Sequence, residues 1–174
     1  MAPRDTSLLA LGDKPFRVRA EDSEDLAIAA SLLQDALLPV REMTFEARDR
    51  RFAMVVQRYK WETAPAQGTV PAEGDTLYSE RVHCGIRFEG VSAVRTHGFD
   101  RGKRDRILNL LTIHASDGHI DLAFSDNVTI RLAVDRILCH IEDLGEPWPT
   151  VFAPSHPVSD DETATSADGA SGAG

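Results

Sequence analysis

"VDRILCHIEDLGEPW", Val134 to Trp148, is the stretch whose periodicity decides the fold. Val134, Ile137, Leu138, Ile141 and Leu144 recur at the spacing of one helix face, and Gly145 and then Pro147 act as stop signals. The spacing predicts an amphipathic helix as the last ordered element.

Upstream of it the period falls to two. "LLPVREMTF", "RFAMVVQRYKW", "YSERVHCGIRFEG", "VSAVRTHGF", "RILNLLTIHA", "HIDLAFS" and "NVTIRL" read as seven strands separated by turn residues. Val82, Cys84, Ile86 and Phe88 alternate with Arg81, His83, Arg87 and Glu89, so one face is dry and the other wet. Asp117-Gly118 is a hairpin signal that sets His114 opposite Asp121 and His119 opposite Ser116, and Asp126-Asn127 is a weaker one. "TAPAQGTVPAEG", Thr63 to Gly74, has no periodicity and reads as a long mobile loop.

At the N-terminal end "PFRVRA" suggests a short strand. Asp22 can cap a helix from Ser23 to about Asp35, with Glu24 and Asp25 in the first turn where the helix dipole favours negative charge. Leu26, Ala29, Ala30, Leu33 and Leu37 form its apolar stripe.

Seven antiparallel strands followed by one helix is the element order of a pleckstrin-homology-like (PH-like) barrel, with the helix plugging an open end and the N-terminal strand and helix as an addition. The alternative α+β arrangement is a sandwich with both helices on one face of an antiparallel sheet. Residues 1–14 read as a mobile leader, 15–157 as a single globular domain and 158–174 as a disordered acidic tail. With 174 residues the chain can bury one sizeable core without disulfide or metal. Cys84 and Cys139 lack any paired spacing and read as buried thiols in a reducing compartment. Leu8 to Leu11 is too short for a signal-peptide core, and no run approaches the roughly 20 apolar residues of a membrane span, so a soluble cytoplasmic protein with no membrane contact is expected.

Net charge is −9, and the residues after Ala153 hold four of the carboxylates and no Lys or Arg, which leaves −5 on the rest. That balance argues against a nucleic-acid partner. The local exception is "RDRRFAMVVQRYKWE", Arg48 to Glu62, where cations and aromatics mix. In a strand they separate onto opposite faces: Tyr59 and Trp61 share one, Arg58 and Lys60 the other, so no stacking platform forms. A bulge near Gln57 would send Tyr59 and Trp61 inward and Arg58 and Lys60 outward.

Two basic connections remain, Arg48, Arg50 and Arg51 before the second strand and Arg101, Lys103, Arg104 and Arg106 further on, with Arg95 and His97 just before. If these loops met they would form a cationic pocket for phosphate or carboxylate groups. We take Arg48, Arg50, Arg51, Arg101, Lys103 and Arg104 as the candidate ligand-binding residues. No hydrolase elbow, phosphate loop, dinucleotide fingerprint or metalloprotease motif is present, and the six histidines form no metal-ligand spacing. No catalytic residue, metal or cofactor is assigned.

As a set, "LLQDALLPVREMTF", "RDRRFAMVVQRYKWE", "RVHCGIRFEGVSAVRTHGFDR", "IRLAVDRILCHIEDLGEPWPT" and "PSHP" resemble the alphaproteobacterial domain of unknown function 2948 family, over about Phe16 to Pro157. The resemblance implies a bacterial cytosolic protein and brings no activity. The family-like positions Gln34, Asp35, Arg51, Arg58, Trp61 and Glu62 fit structural roles as well as functional ones. The expectation is a non-enzymatic binding module for a protein partner or an anionic small ligand. The alternative is an enzyme acting on a phosphorylated or carboxylated metabolite, with His97 or His114 as general base.

Overall fold

The computed structural model describes residues 15–66, 69, 70, 73, 78–100 and 102–154; the expected leader and tail, part of the 63–74 loop, and Arg101 lie outside the described residues. In chain order the elements are β1 (Arg17–Ala20), α1 (Ser23–Leu33), β2 (Leu37–Pro39), a 3-10 turn (Val40–Glu42), β3 (Met43–Glu46), β4 (Arg51–Tyr59), β5 (Ser79–Glu89), β6 (Val91–His97), β7 (Ile107–Ser116), β8 (His119–Phe124), β9 (Val128–Val134) and β10 (Cys139–Thr150). The class is α+β.

The helix begins as its sequence dictates. Asp22 is extended, and its carboxylate accepts a hydrogen bond from the Asp25 amide at 2.8 Å. Leu26, Ala29, Ala30 and Leu33 are buried. The helix ends at Leu33, short of the expected Asp35, because β7 takes over the hydrogen bonding: the Asp35 amide donates to the Leu110 carbonyl and the Leu110 amide to the Ala36 carbonyl, each at 2.8 Å. Asp35 makes the corner with φ of 62°, a left-handed conformation that Asp tolerates better than most residues.

The strands form one ten-stranded antiparallel sheet in the order β1-β10-β5-β4-β2-β7-β8-β9-β6, with β3 also paired to β4. Six of the seven expected strands are present as single strands. "LLPVREMTF" instead divides into β2 and β3 at the 3-10 turn Val40–Glu42, whose Val40 amide still donates to the Arg106 carbonyl at 2.9 Å, in register with β7. Asp117-Gly118 makes its hairpin with the expected register, His114 opposite Asp121 and His119 opposite Ser116.

The C-terminal helix is corrected. Val134 closes β9, and "CHIEDLGEPWPT" is β10, which lies between β1 and β5 and pairs with both. Cys139, Ile141 and Asp143 stand opposite Phe88, Ile86 and Cys84, so the operative period is two. Pairing along both edges meets the obligatory hydrogen bonds of three strands at once, and this outweighs a helical spacing. Gly145, at φ 72°, sits where the register slips between Leu144 and Trp148, a bulge that bends the strand. The PH-like barrel falls with the helix, since the sheet is open, with β1 and β6 at its two ends. The inward faces of its first half, β1-β10-β5-β4 with β3, and its second half, β7-β8-β9-β6, nonetheless share one hydrophobic cluster with α1, from Phe16 and Ile141 to Ile130 and Leu132.

The bulge expected near Gln57 is also absent. Pairing of β4 with β5 is continuous from Arg51–Glu89 to Tyr59–Arg81, so Phe52, Met54 and Val56 point inward and Arg58 follows them. Arg58 is 0% exposed.

Candidate functional site

Burying a guanidinium demands a full set of partners, since removing a lone charge from water costs several kcal/mol. Arg58 has them. Its Nε and Nη2 donate to the two oxygens of Asp143 at 2.7 and 2.6 Å, and Nη1 and Nη2 donate to Glu62 at 3.0 and 2.7 Å. The guanidinium also lies 5.0 Å from the Phe16 ring centroid, and the Phe16 amide donates to Asp143. Burial opposes its charge, but the bonds to Asp143 and Glu62 win and raise its pKa. Glu62 shows the converse: burial opposes ionisation, yet the Arg58 hydrogen bond prevails and holds its pKa below the usual carboxylate value.

The other family-like positions also hold the fold together. Trp61 Nε1 donates to the Gln34 carbonyl at the end of α1 and packs edge-on against Tyr59 with ring centroids 4.7 Å apart. Asp35 makes the corner into β2, and Arg51 pairs with Glu89 at 3.2 Å and with Glu46 at 3.5 Å. Tyr59 and Trp61 do share one side, as expected, but the cationic face assigned to Arg58 and Lys60 does not exist. Lys60 is buried and bonded to Glu80 at 3.0 Å.

Of the candidate ligand-binding arginines, Arg48 is exposed in the turn between β3 and β4. Arg50 reaches the Gly90 carbonyl, just before β6, and Asp135, just after β9, whereas Arg106 reaches the Gly98 carbonyl, just after β6, and Asp126, just before β9. The two basic loops are thus separated by the length of β6, about 20 Å at the usual strand rise. Lys103 and Arg104 are exposed, and Arg101 lies outside the described residues. Arg95 falls in a row with Arg131, Asp121 and His114 on the wet face of the second half, where Asp121 accepts two 2.7 Å bonds from Arg131.

A concavity lies elsewhere on the sheet. It is a groove of about 890 Å³ on the outer face of the first half of the sheet, opposite the side that carries α1. Its floor is low because Ala53, Val55 and Gly85 are small, and Leu144 and the 3-10 turn with Arg41 and Glu42 also line it. The registers place Arg19 beside His140 and His140 beside Arg87, a row from β1 through β10 to β5. Strand spacing makes this row about 10 Å long. Arg17 also lines the groove, giving four guanidiniums, with Glu42 and Glu142 in the lining and Glu21 and Glu89 beside Arg19 and Arg87.

These arginines are only loosely held. Arg19 pairs with Glu21 and Arg87 with Glu89, each at 2.7 Å; the Arg19 and Arg87 side chains are 59% and 47% exposed. Arg17 and Arg41 pair with Glu142 and Glu42 at longer range, 3.3 and 3.4 Å. Exposed pairs contribute roughly 0 to 1 kcal/mol, so an incoming carboxylate or phosphate can replace them.

Sequence reasoning misses this row because the helical spacing from Val134 to Leu144 hides that His140 lies in a strand between Arg19 and Arg87. The one available signal was that Arg19 and Arg87 each fall on the wet phase of a strand.

Neither cysteine is suited to thiolate chemistry. Cys84 and Cys139 are both buried, and burial raises both thiol pKa values far above the ordinary range. No group of three or more His, Cys, Asp or Glu close enough to hold a metal ion occurs among the described residues, and no helix there is long and apolar enough to cross a membrane.

The family described as "Protein of unknown function (DUF2948)" matches residues 16–156, and the chain belongs to that family. No curated protein and no solved structure matches it.

Proposed function

We propose that the protein is a non-enzymatic binding module whose outer groove takes a carboxylate-rich segment of a protein partner. The observation that carries this reading is the Arg19–His140–Arg87 row, set in a groove with an apolar floor on a sheet face that α1 does not cover. A peptide suits such a lining better than a compact phosphate does, because the guanidiniums are spread along the groove and the floor can accept aliphatic carbons. The Arg48–Arg51 turn fits less well, since Arg48, Arg50 and Arg51 do not line the groove or its apolar floor.

The test is fluorescence anisotropy with a labelled octaglutamate peptide at low salt. Arg19→Glu with Arg87→Glu should weaken binding at least about tenfold, because it reverses charge on two residues of the row, and the melting temperature should stay within a few degrees. Equal affinity in wild type and the double variant would remove the site.

A further inference from the structure

Resting on that reading of the groove, we propose that the segment it takes is recognised by spacing: an extended peptide with an acidic side chain over the Arg19–His140–Arg87 row and an aliphatic one two residues away, packed on Leu144.

Charge alone gives such a segment little affinity. Arg17, Arg19, Arg41 and Arg87 are matched one for one by Glu142, Glu21, Glu42 and Glu89. An incoming carboxylate therefore exchanges one exposed ion pair for another, and such pairs contribute little. The row sets where an acidic group sits, and the remaining affinity has to come from apolar contact.

Leu144 supplies that contact. It follows His140 and Glu142 on the outward phase of β10 and is 42% exposed. It also lies across Gly85: a β-carbon at that position would meet Leu144 Cδ1 at 3.3 Å, so a side chain there would stand where the leucine rests. Together with Arg41, Glu42 and Val55, Leu144 lines both the groove and a neighbouring hollow of about 490 Å³ that reaches Gln57, His83 and Gly145. The two hollows are thus continuous, and an exposed leucine lies between them. An aliphatic side chain laid against it removes apolar surface of both partners from water.

Register fixes the spacing. Arg87, Gly85 and His83 share the outward phase of β5, opposite Ala53, Val55 and Gln57 on β4 and His140, Glu142 and Leu144 on β10. Successive rows are two residues apart, about 7 Å at the usual rise. An extended peptide laid along β5 has the same period on the face it turns to the sheet. In either chain direction, the side chain two residues from the acidic one comes down over Gly85, beside Val55 and Leu144. The side chain next to the acidic one points away.

The experiment is fluorescence anisotropy of the full chain at low salt with two labelled, end-blocked peptides of one composition. Glu-Thr-Leu-Thr repeated twice puts glutamate and leucine on one face of an extended chain; Glu-Leu-Thr-Thr repeated twice puts them on opposite faces. We expect the first to bind about tenfold more tightly, the effect of burying roughly half a leucine side chain, and Leu144→Ser to remove most of that difference. Equal affinities for wild type overturn the inference, and so does a preference that persists undiminished in Leu144→Ser. Octaglutamate separates this result from the fate of the groove. If the two peptides tie while Arg19→Glu with Arg87→Glu still weakens octaglutamate, the groove reading survives and only the spacing rule is lost. If octaglutamate is indifferent to the double variant, both are lost.

Discussion

At the residue scale, Arg58 and Asp143 explain each other. Each sits at an inward phase of a strand where an apolar residue is expected, and each is buried only because the other is there. Arg58→Met should cost about 3 to 5 kcal/mol, the usual penalty for leaving a buried charge without its partner. Adding Asp143→Leu should recover much of that loss, because Glu62 can turn to solvent; urea denaturation of the single and double variants measures the difference. Glu62 gives a pH dependence of defined sign. Its pKa is depressed in the folded chain below the ordinary 4.5, so its contribution is present above about pH 4.5 and is lost as pH falls through the depressed value. Glu62→Gln should therefore be less stable than wild type near pH 7, with the gap closing as pH falls below 4.5. A gap that is constant from pH 7 to pH 3 would contradict the ion pair.

At the element scale, β10 is the strand that joins the N-terminal addition to the rest of the sheet. Because it is paired on both edges, the amides of His140, Ile141 and Glu142 should exchange with solvent as slowly as those of β5, while β1 and β6 at the sheet ends exchange faster. Fast exchange throughout β10 would show that the stretch is not a central strand. Much of the remaining fold was legible in the sequence. Asp22 marked the helix start, Asp117-Gly118 marked a hairpin and its register, and the alternation from Val82 to Phe88 marked the buried face of β5. What could not be read was the strand whose period-two pattern is Cys139, Ile141, Asp143. A carboxylate in third place breaks the apolar alternation unless its partner is known, and Arg58 lies 85 residues earlier in the chain. The same ignorance suggested a bulge near Gln57 to send Arg58 outward. Both errors arose from one contact between distant residues.

At the scale of the whole molecule, an open sheet has two faces to satisfy, and α1 with the shared core satisfies only one. The outer face of the first half keeps the groove, and the charges at issue come from positions 19, 87 and 140, which meet only through the strand order β1-β10-β5. No local pattern reports that order, so the candidate row was illegible, whereas the loop arginines stood out because they are consecutive in sequence. On the proposed reading an acidic segment docks at the cationic row in spite of a net charge of −9, because local complementarity outweighs the overall sign. The measurement that decides between the groove and the loops is an amide-resolved NMR titration of the full chain with octaglutamate at low salt. We expect saturable shifts centred on Arg19, Arg87 and His140 and extending to Ala53 and Val55 on the groove floor. Shifts centred instead on Arg48 to Arg51 or on Lys103 and Arg104, or none at all, would contradict the assignment of the groove as the binding site.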